Sequence, residues 1–474
     1  MKLRRAKVRE ILEKVEITEA AAEGKALARV DERVIFVPFV VPGDIVDILI
    51  RKKKQNFAEG EAIAFHKLSD LRVEARCPHF GFCGGCKWQT LRYDKQLFFK
   101  NKQVIDNLQR IGKIDCRRAL PILGSESQFY YRNKLEFTFS NKQWLSVLDA
   151  SKEQNEIGAL GFHIPNFFDK VLEITDCALQ KEPSNSIRNF VREYATEHNL
   201  SFYDIRNHNG LMRNLIIRTS ETDDLMVIVV FAQESEDIEP LLQAVATEFP
   251  QITSLLFAVN MKFNDTLNDQ QINVFKGKDF IIEQMPSFGD KTKLLNFKIG
   301  AKSFYQTNSK QAYKLYSVAA EFANLDKDKI VYDLYTGCGT IANFIAQSVK
   351  QVVGIEYVED AIVDAKTNSK ENNIDNTTFF AGDMSKVLTD DFVNANLKPD
   401  IIITDPPRAG MNPDVVAQLL RIEAKKIVYI SCNPATQARD VSLLSEKYDV
   451  GRIQPVDMFP HTHHVENVVE LNLK

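Results

Sequence analysis

The sequence of 474 residues has no apolar stretch approaching the roughly 20 residues that a membrane-spanning helix requires. It has only seven cysteines, too few for a disulfide scaffold in so long a chain. It has no internal repeat and no low-complexity tract, and no apolar signal-peptide segment follows Met1–Arg5. These absences argue against an integral membrane protein, a disulfide-rich secreted protein and a disordered one, and we expect a cytoplasmic location.

The composition is typical of a globular protein, with 44% hydrophobic and 26% charged residues. About 150 residues per domain suggests about three domains. The net charge of -4 is unevenly distributed, because residues 87–142 hold twelve Lys or Arg against five Asp or Glu, and Arg51–Lys54 is a second basic run. This pattern indicates an anionic partner, with nucleic acid as the first candidate and solvated surface charge as the alternative.

The first seventy residues alternate short β-like runs with turn signals. Three such runs are 26–30, 34–41 and 44–50, and Pro42-Gly43 marks a turn between the last two. Regularly spaced short strands are typical of a small barrel. We therefore predict an RNA-binding module of the OB type at the N-terminus.

Three cysteines follow closely spaced, Cys77, Cys83 and Cys86, and a fourth, Cys177, lies far downstream. Clustered cysteines in a reducing compartment are more often metal ligands than core residues, and the neighbouring glycines let the backbone wrap a ligand. Four thiolates suit either tetrahedral zinc or an iron–sulfur cluster, and spacing alone does not select one. Residues 121–284 mix β-like runs with helical patterns, which predicts an α+β domain around this site.

The C-terminal part alternates strand-like runs with helical stretches, which predicts a doubly wound parallel sheet. The strand-like runs are 330–334, 352–356, 378–383, 401–405 and 427–430. Open α/β sheets bind ligands in the crevice at the carboxyl ends of their strands. The loops after these runs are therefore the candidate site.

The first of these loops holds Gly337 and Gly339, which let a ligand approach the backbone. The second strand ends in Glu356, suited to ribose hydroxyls, and the third in Asp383, suited to an adenine edge. Either acid alone could cap the following helix, but together with the loop they favour an adenosine-containing cofactor. The loop lacks the full G-x-G-x-x-G of dinucleotide folds, so S-adenosylmethionine is favoured over NAD.

Three further segments carry reactive groups. The run 405–408 (Asp-Pro-Pro-Arg) forms a rigid turn that leaves Asp405 facing the ligand, as in methyltransferases that act on nucleobases. The run 431–434 (Ser-Cys-Asn-Pro) places the Cys432 thiol after the fifth strand. Glu466, just before the last strand, is a candidate base, with a surface or capping acid as the alternative.

These motifs, with 304–308 (Phe-Tyr-Gln-Thr-Asn), resemble those of the RNA uracil-C5 methyltransferase family, and the four-cysteine pattern resembles its iron–sulfur branch, which acts on 23S rRNA. The resemblance covers essentially the whole chain. It implies a mixed α/β architecture with an N-terminal TRAM domain of the OB type, a central α+β domain with a 4Fe-4S cluster, and a Rossmann-like catalytic domain. The implied boundaries are 1–70 for the first, 71–91 with 121–290 for the second, and 92–120 with 291–474 for the third.

Taken residue by residue, the resemblance makes Cys432 the nucleophile and Glu466 the general base. It implies contacts to S-adenosylmethionine from Gln306, Tyr335, Thr340, Glu356, Asp383 and Asp405. It implies an RNA contact from Arg132, and cluster ligation by Cys77, Cys83, Cys86 and Cys177. Thr340 and Asp383 depart from the family pattern, since each stands where Asn occurs in other members.

The implied reaction is methyl transfer from S-adenosylmethionine to C5 of a uridine in 23S rRNA, through a covalent bond between Cys432 and C6. We expect a monomer. Three alternatives stay open: methylation of a T-loop uridine in transfer RNA, methylation of an adenine amino group, and a non-catalytic iron–sulfur or zinc RNA-binding assembly factor. The cysteine argues against the adenine reaction, because amino groups need no covalent catalysis.

Overall fold

The computed structural model of the protein describes residues 10–145, 158–165 and 167–474. The remaining residues, 1–9 of the predicted N-terminal domain and 146–157 and 166 of the predicted central domain, lie outside the described part. The described residues form a six-stranded sheet, two seven-stranded sheets and a two-stranded ribbon. No helix among them is both long and apolar enough to cross a membrane.

Six short strands form the N-terminal sheet. They are β1 (Ile11–Glu16), β2 (Glu19–Ala20), β3 (Ala26–Val30), β4 (Arg33–Val37), β5 (Ile45–Lys53) and β6 (Phe57–Lys67). Their spatial order is β1-β5-β6-β4-β3-β2. Because successive side chains of a strand face opposite sides, alternate residues of β4 and β5 point inward, and Ile35, Val37, Val46 and Ile48 meet in one apolar cluster.

A long helix, α1 (Tyr93–Arg110), follows the N-terminal sheet along the chain. Its buried residues recur at every fourth position, and they are Gln96, Lys100, Val104 and Leu108. This spacing places them on one face. That face packs against α10 (Pro434–Leu444), near the end of the chain.

The central sheet has seven strands, of which two are buried on both faces. The strands are β7 (Lys134–Ser140), β8 (Ala159–His163), β9 (Val171–Glu173), β10 (Met212–Thr219), β11 (Leu225–Phe231), β12 (Ser254–Val259) and β13 (Asn273–Gly277). Their order is β13-β12-β11-β10-β7-β8-β9. Leu215 and Ile217 of β10 pack beneath α2 (Ser184–Glu197) and α3 (Ile238–Glu248), whereas Ile216 joins the core on the opposite face.

A ribbon and a helix connect the central sheet to the C-terminal layer. The ribbon is β14 (Phe280–Pro286) with β15 (Leu294–Gly300), and the helix is α4 (Ser309–Ala323). Asn308 caps α4 by accepting a hydrogen bond from the Gln311 backbone N–H at 3.2 Å. Apolar residues of the ribbon, α4 and both neighbouring sheets form one continuous core.

The C-terminal sheet also has seven strands, with helices between them. The strands are β16 (Ile330–Leu334), β17 (Gln351–Glu356), β18 (Thr377–Ala381), β19 (Ile401–Thr404), β20 (Lys426–Ser431), β21 (Tyr448–Val456) and β22 (Glu466–Leu473). The helices before α10 are α5 (Thr340–Ala346), α6 (Glu359–Glu371), α7 (Met384–Val387), α8 (Asp390–Ala395) and α9 (Pro413–Ile422). The strand order is β18-β17-β16-β19-β20-β22-β21.

The predicted doubly wound parallel sheet is confirmed for all five of its strands, and two further strands extend one edge. Strands β16 to β20 are parallel, and the order reverses between β16 and β19. In contrast, β22 runs antiparallel to both β20 and β21. The connection 457–465 is short enough for an antiparallel pair, whereas a parallel crossover takes a dozen or more residues. The crevice of the fold opens where the order reverses.

Candidate active site

The loop after β16 has an unusual backbone. Tyr335, Gly337 and Gly339 have positive φ angles of 64°, 55° and 78°, a region that glycine enters freely and tyrosine enters at a cost. A Cβ on Gly339 would lie 2.9 Å from the Cβ of Ala365 in α6. The loop therefore presents its backbone closely to whatever occupies the crevice.

Glu356, at the end of β17, is hydrogen-bonded to this loop. Its carboxylate accepts hydrogen bonds from the backbone N–H of Gly337 at 3.2 Å, Tyr357 at 2.8 Å and Val358 at 3.0 Å. An ionised carboxylate has about four acceptor sites. Glu356 is therefore positioned beside the glycine loop with acceptor capacity left for a ligand hydroxyl.

Asp383 acts as a helix cap, which is the alternative that the sequence left open. Its Oδ1 accepts hydrogen bonds from the Ser385 backbone N–H at 3.0 Å and the Ser385 hydroxyl at 2.8 Å. The hydrogen bonds from Ser385 lower the pKa of Asp383 below its ordinary value. Both capping bonds use Oδ1, so Oδ2 keeps capacity for another donor.

The other predicted cofactor contacts come from segments next to the loop. Gln306 is buried just before α4, and Thr340 is buried at the start of α5. The Cys338 thiol links these segments, because it lies 3.4 Å from the Phe304 carbonyl oxygen and 3.3 Å from the Thr340 hydroxyl. Burial raises the pKa of Tyr335 to about 12, so its phenol stays neutral.

Two carboxylates lie at the ends of the adjacent strands β16 and β19. Asp333 is buried within the last two residues of β16, and Asp405, which is partly buried, directly follows β19. The Asp333 Oδ2 accepts hydrogen bonds from Thr336 and Ala342, while Oδ1 has no partner among the described residues. Burial raises the pKa of Asp333 to about 7. Burial and the Asp333 charge raise the pKa of Asp405. Asp333 is not among the site residues that the sequence predicts, although it is an acid immediately before the glycine loop.

These groups fit S-adenosylmethionine. Within the described part of the chain, the pKa shifts of Asp333 and Asp405 have no cationic side chain among their causes, so a cationic ligand would stabilise both carboxylates. The sulfonium and ammonium groups of S-adenosylmethionine are cations. Its ribose offers hydroxyl donors of the kind that Glu356 can accept.

Cys432 and Glu466 leave paired strands at the same end. Ser431 of β20 lies opposite Asn467 of β22, and in an antiparallel pair the next residue of one strand faces the preceding residue of the other. Asn433 caps α10 by accepting the Ala435 backbone N–H at 3.1 Å, which fixes the turn that contains Cys432. Cys432 is partly buried and Glu466 is buried.

The charges at this edge act on one another. Burial, together with the charges of Glu466 and Asp405, raises the pKa of Cys432 to about 11, while the Arg408 charge acts in the opposite direction. Burial and the Asp405 charge also raise the pKa of Glu466, and Arg408 again counteracts the shift. The sequence predicts no separate role for Arg408. In the structure, its charge acts on both reactive groups.

The segment that leads into Glu466 is held by a buried ion pair. Asp457 accepts a hydrogen bond from the Lys100 Nζ at 2.6 Å and from the Tyr93 hydroxyl at 2.8 Å, both on α1. The side chains of Lys100 and Asp457 are both 0% exposed. Buried charges of this kind are stable only when paired.

Lys100→Met is expected to lower the free energy of unfolding by about 3–5 kcal/mol, because it leaves the Asp457 carboxylate buried and unpaired. Lys102→Met is the matched control, since Lys102 is partly exposed and its pairs with Glu19 and Asp106 are worth about 0–1 kcal/mol each. Urea denaturation followed by circular dichroism measures both variants. Equal losses would show that the buried pair contributes no more than a surface pair.

The same segment is bound to the cysteine-rich stretch. The His461 carbonyl oxygen accepts the backbone N–H of Lys87 at 2.8 Å and of Trp88 at 3.0 Å. These two residues directly follow Cys86. The position of Glu466 is therefore set by contacts with α1 and with the cysteine-rich stretch.

The four predicted metal ligands line one cavity of about 730 Å³. Burial raises the pKa of all four thiols, to about 12 for Cys86 and about 11 for Cys177, and in direction for Cys77 and Cys83. Within the described residues, no group of three or more His, Cys, Asp or Glu is placed to hold a metal ion. The structure brings the cysteines to one cavity without itself showing a metal centre.

Arg132 lines the same cavity, together with Lys134, Arg218 and Lys302. Its Nε donates a hydrogen bond to the Lys134 carbonyl oxygen at 3.3 Å. His464, two residues before Glu466, is also in the lining. The cavity therefore extends from the cysteines towards the candidate base, and its lining carries four cationic side chains together with the acids Glu136 and Asp176.

Comparison with known proteins assigns the chain to a family. Residues 222–474 match the family described as tRNA (Uracil-5-)-methyltransferase, and residues 5–63 match the TRAM domain. The chain is 57% identical over 460 residues to a Bacteroides thetaiotaomicron protein described as an uncharacterized RNA methyltransferase, covering 96% of this chain and 100% of that protein. A Porphyromonas gingivalis protein with the same description is 52% identical over 467 residues, covering 96% and 99%.

A solved structure resembles the whole chain. It is the Pyrococcus abyssi tRNA (uracil-54, C5)-methyltransferase in complex with S-adenosyl-L-homocysteine, with a TM-score of 0.71 and 27% identity over 98% of this chain and all of that one. The match includes the Rossmann-like layer and the N-terminal sheet. Together with the TRAM domain, the family makes RNA the partner of the protein. The chain belongs to the family of S-adenosylmethionine-dependent RNA (uracil-5-)-methyltransferases.

Proposed function

We propose that the protein transfers the methyl group of S-adenosylmethionine to C5 of a specific uridine in 23S rRNA, through a covalent bond between Cys432 and C6. The observation that carries this proposal is the pairing of Ser431 in β20 with Asn467 in β22. Their neighbours Cys432 and Glu466 are therefore adjacent at the ends of the two strands. A nucleophile next to a carboxylate is what the reaction needs. The resemblance of the four-cysteine pattern to the iron–sulfur branch supports ribosomal RNA as the substrate.

C5 of uracil is a weak nucleophile, so a covalent bond to the protein must activate it. The Cys432 thiolate adds to C6, and the ring electrons move onto C5 and O4. C5 then attacks the sulfonium methyl group, and S-adenosylhomocysteine leaves. Glu466 removes the C5 proton, and the electrons of that C–H bond re-form the C5=C6 double bond and expel the Cys432 thiolate.

The methylation rate is expected to rise with pH through the Glu466 pKa of about 8 and to continue rising towards the Cys432 pKa of about 11. Glu466 accepts a proton only as the carboxylate, and its raised pKa leaves it protonated in mildly acidic solution. The raised pKa of Cys432 likewise makes the thiolate scarce at low pH. Arg408→Met should move the rise of kcat/KM to higher pH, because Arg408 lowers both pKa values. A flat profile for the wild type would contradict these roles.

We propose that the predicted contact residues bind different parts of S-adenosylmethionine. Glu356 accepts the ribose hydroxyls, the free oxygen of Asp383 accepts from the adenine amino group, and Asp405 lies on the side of the positive charge. The buried Asp333 adds to the negative charge there. The complete proposed set is Gln306, Tyr335, Thr340, Glu356, Asp383 and Asp405.

RNA is proposed to enter from the cavity side. A uracil stacked in folded RNA must be flipped out before Cys432 can reach C6. Arg132 and the other cationic side chains of the cavity lining are suited to phosphates next to the flipped nucleotide. We propose Arg132 as the RNA contact.

Cys77, Cys83, Cys86 and Cys177 are proposed to hold a 4Fe-4S cluster. They share one cavity, and their spacing resembles that of the iron–sulfur branch of the family. Four thiolates are the ligand set of such a cluster. Once bound, it would cross-link distant segments and order the central domain. Absorption spectroscopy with iron and sulfide determination on anaerobically purified protein tests this, and colourless, zinc-loaded protein would overturn it.

We also propose the domain division 1–70, 71–91 with 121–290, and 92–120 with 291–474, in a monomer. The packing of α1 on α10 supports the assignment of 92–120 to the catalytic domain. Size-exclusion chromatography with light scattering tests the monomer.

Methyl transfer to separate, unmodified RNA substrates tests the proposed function. With labelled S-adenosylmethionine, we expect 5-methyluridine in 23S rRNA, identified by mass spectrometry. Transfer RNA is the second candidate substrate, favoured by the likeness to the Pyrococcus abyssi structure. Label in transfer RNA alone would select that candidate. Bound cofactor without transfer to either RNA would select the non-catalytic assembly factor.

A further inference from the structure

Arg188, on α2, is a buried arginine without a hydrogen bond. It is 0% exposed. Its Nε, Nη1 and Nη2 atoms have no hydrogen-bond partner among the described residues. Burial lowers its pKa to about 10, which leaves the guanidinium charged at neutral pH. A buried charge in this state is strongly unfavourable unless an opposite charge is nearby.

Other buried arginines of the central sheet are fully bonded. Arg213 donates hydrogen bonds to the carbonyl oxygens of Asn260, Lys262 and Asn264 and to the Asp265 carboxylate. Arg218 donates from Nη1 and Nη2 to the carbonyl oxygens of Gly300, the last residue of β15, and Ser303. The fold therefore satisfies buried guanidinium groups elsewhere, and Arg188 is the exception among these three.

Three acids, Glu173, Asp176 and Glu182, act on Arg188 through their charges, but each accepts its hydrogen bonds from other groups, Glu182 from Ser186. Glu173 accepts hydrogen bonds from Arg192 and from the Leu160 backbone N–H. Asp176 accepts one from Asn185. The nearest aromatic ring, Phe137, lies 5.6 Å from the guanidinium carbon, and a cation–π contact is worth about 0.5–2 kcal/mol. That contact alone does not offset the burial of a full charge.

Arg188 lies next to the cysteine cavity. Its charge acts on Cys177 and on His79, both of which line that cavity. Cys177 immediately precedes the turn that leads to α2, and its backbone N–H donates to Asn185 Oδ1 at 2.9 Å. This hydrogen bond fixes the first turn of α2, the helix that carries Arg188, to the backbone of one of the four proposed ligands.

We propose that Arg188 is the counter-charge of the anionic iron–sulfur cluster held by the four cysteines. This inference rests on the proposed cluster. A cluster bound by four thiolates carries net negative charge, and burial of that charge needs a compensating cation. Arg188 has no hydrogen-bond partner among the described residues. It would therefore be available to supply the positive charge that the buried cluster needs.

The test compares Arg188→Met and Arg188→Lys, with Arg192→Met as the matched control. Arg192 is on the same helix one turn further along, and it is bonded to Glu173. After anaerobic purification, iron and sulfide per chain should fall several-fold in Arg188→Met and stay near the wild-type value in Arg188→Lys and Arg192→Met. The remaining cluster in Arg188→Met should have a more negative midpoint potential, because a charge that favours the reduced form is gone.

The melting temperatures of the cluster-free proteins provide a second test, in which Arg188→Met should not be the less stable protein. Without the cluster, Arg188→Met should melt at a temperature equal to or above that of the wild type, because it removes an unpaired buried charge. A lower melting temperature would overturn the inference, since it would show a structural role of Arg188 in the fold itself. If Arg188→Met is insoluble, Arg188→Gln serves the same comparisons.

The two proposals fail in different ways. Full iron, full sulfide and an unchanged potential in Arg188→Met would overturn the role of Arg188 and leave the cluster standing. Wild-type protein without iron and sulfide, even after anaerobic reconstitution, would overturn the cluster and the inference with it.

Discussion

Cys432→Ala is expected to slow methylation by at least about four orders of magnitude, because loss of a covalent nucleophile removes the step that activates C5. Binding of S-adenosylmethionine and of RNA should change little, since the side chain is small and partly buried. Single-turnover transfer of labelled methyl groups measures the rate, and filter binding measures the RNA affinity.

Cys116→Ala is the matched control for this variant. Cys116 is also partly buried, and burial raises its pKa to about 11, as at Cys432. It lies after α1, away from the ends of β20 and β22. Its removal should leave the methylation rate within about twofold of the wild type, as for substitutions away from a site. Unchanged activity of Cys432→Ala would overturn the covalent mechanism.

Glu466→Gln is expected to stop the reaction at a covalent protein–RNA adduct. Glutamine keeps the shape of the side chain but cannot take up the C5 proton, so the methylated ring cannot re-form its double bond and expel Cys432. Turnover should fall by about 10²–10⁴-fold. A band of protein bound to labelled RNA should survive denaturing electrophoresis, and it should appear only when S-adenosylmethionine is present.

The double variant Cys432→Ala with Glu466→Gln controls for non-specific cross-links. It lacks the sulfur that forms the bond, so it should give no such band. Normal turnover of Glu466→Gln, with free RNA on the gel, would remove Glu466 from the mechanism and leave the role of Cys432 intact.

The parts of this site that the sequence predicted share one physical basis. Glu356, Asp405 and Cys432 each follow a strand-like run, and the carboxyl ends of parallel strands meet at one edge of a sheet. Local patterns therefore located them without knowledge of the fold. The glycine loop was found in the same way, because its backbone requirement is visible in the residue types.

The parts that the sequence did not predict depend on contacts between distant residues. The pairing of Lys100 with Asp457 spans 357 positions, and a lysine on the buried face of a helix carries no local sign of its partner. The antiparallel orientation of β22 depends on the space available for a strand beside β20. The short connection 457–465 does not reveal that space. Arg188 and Arg213 are both arginines in the central domain, and only their surroundings distinguish them.

The burial of α1 against the last helix has a consequence for biosynthesis. At about 5–20 residues per second, the ribosome needs roughly 20–70 s to make the chain between Lys100 and Asp457. During that time the inward face of α1 has no docking surface and meets water or chaperones. Gln96 and Lys100 lie on that face. They make the undocked helix less prone to aggregate than leucines at the same positions would.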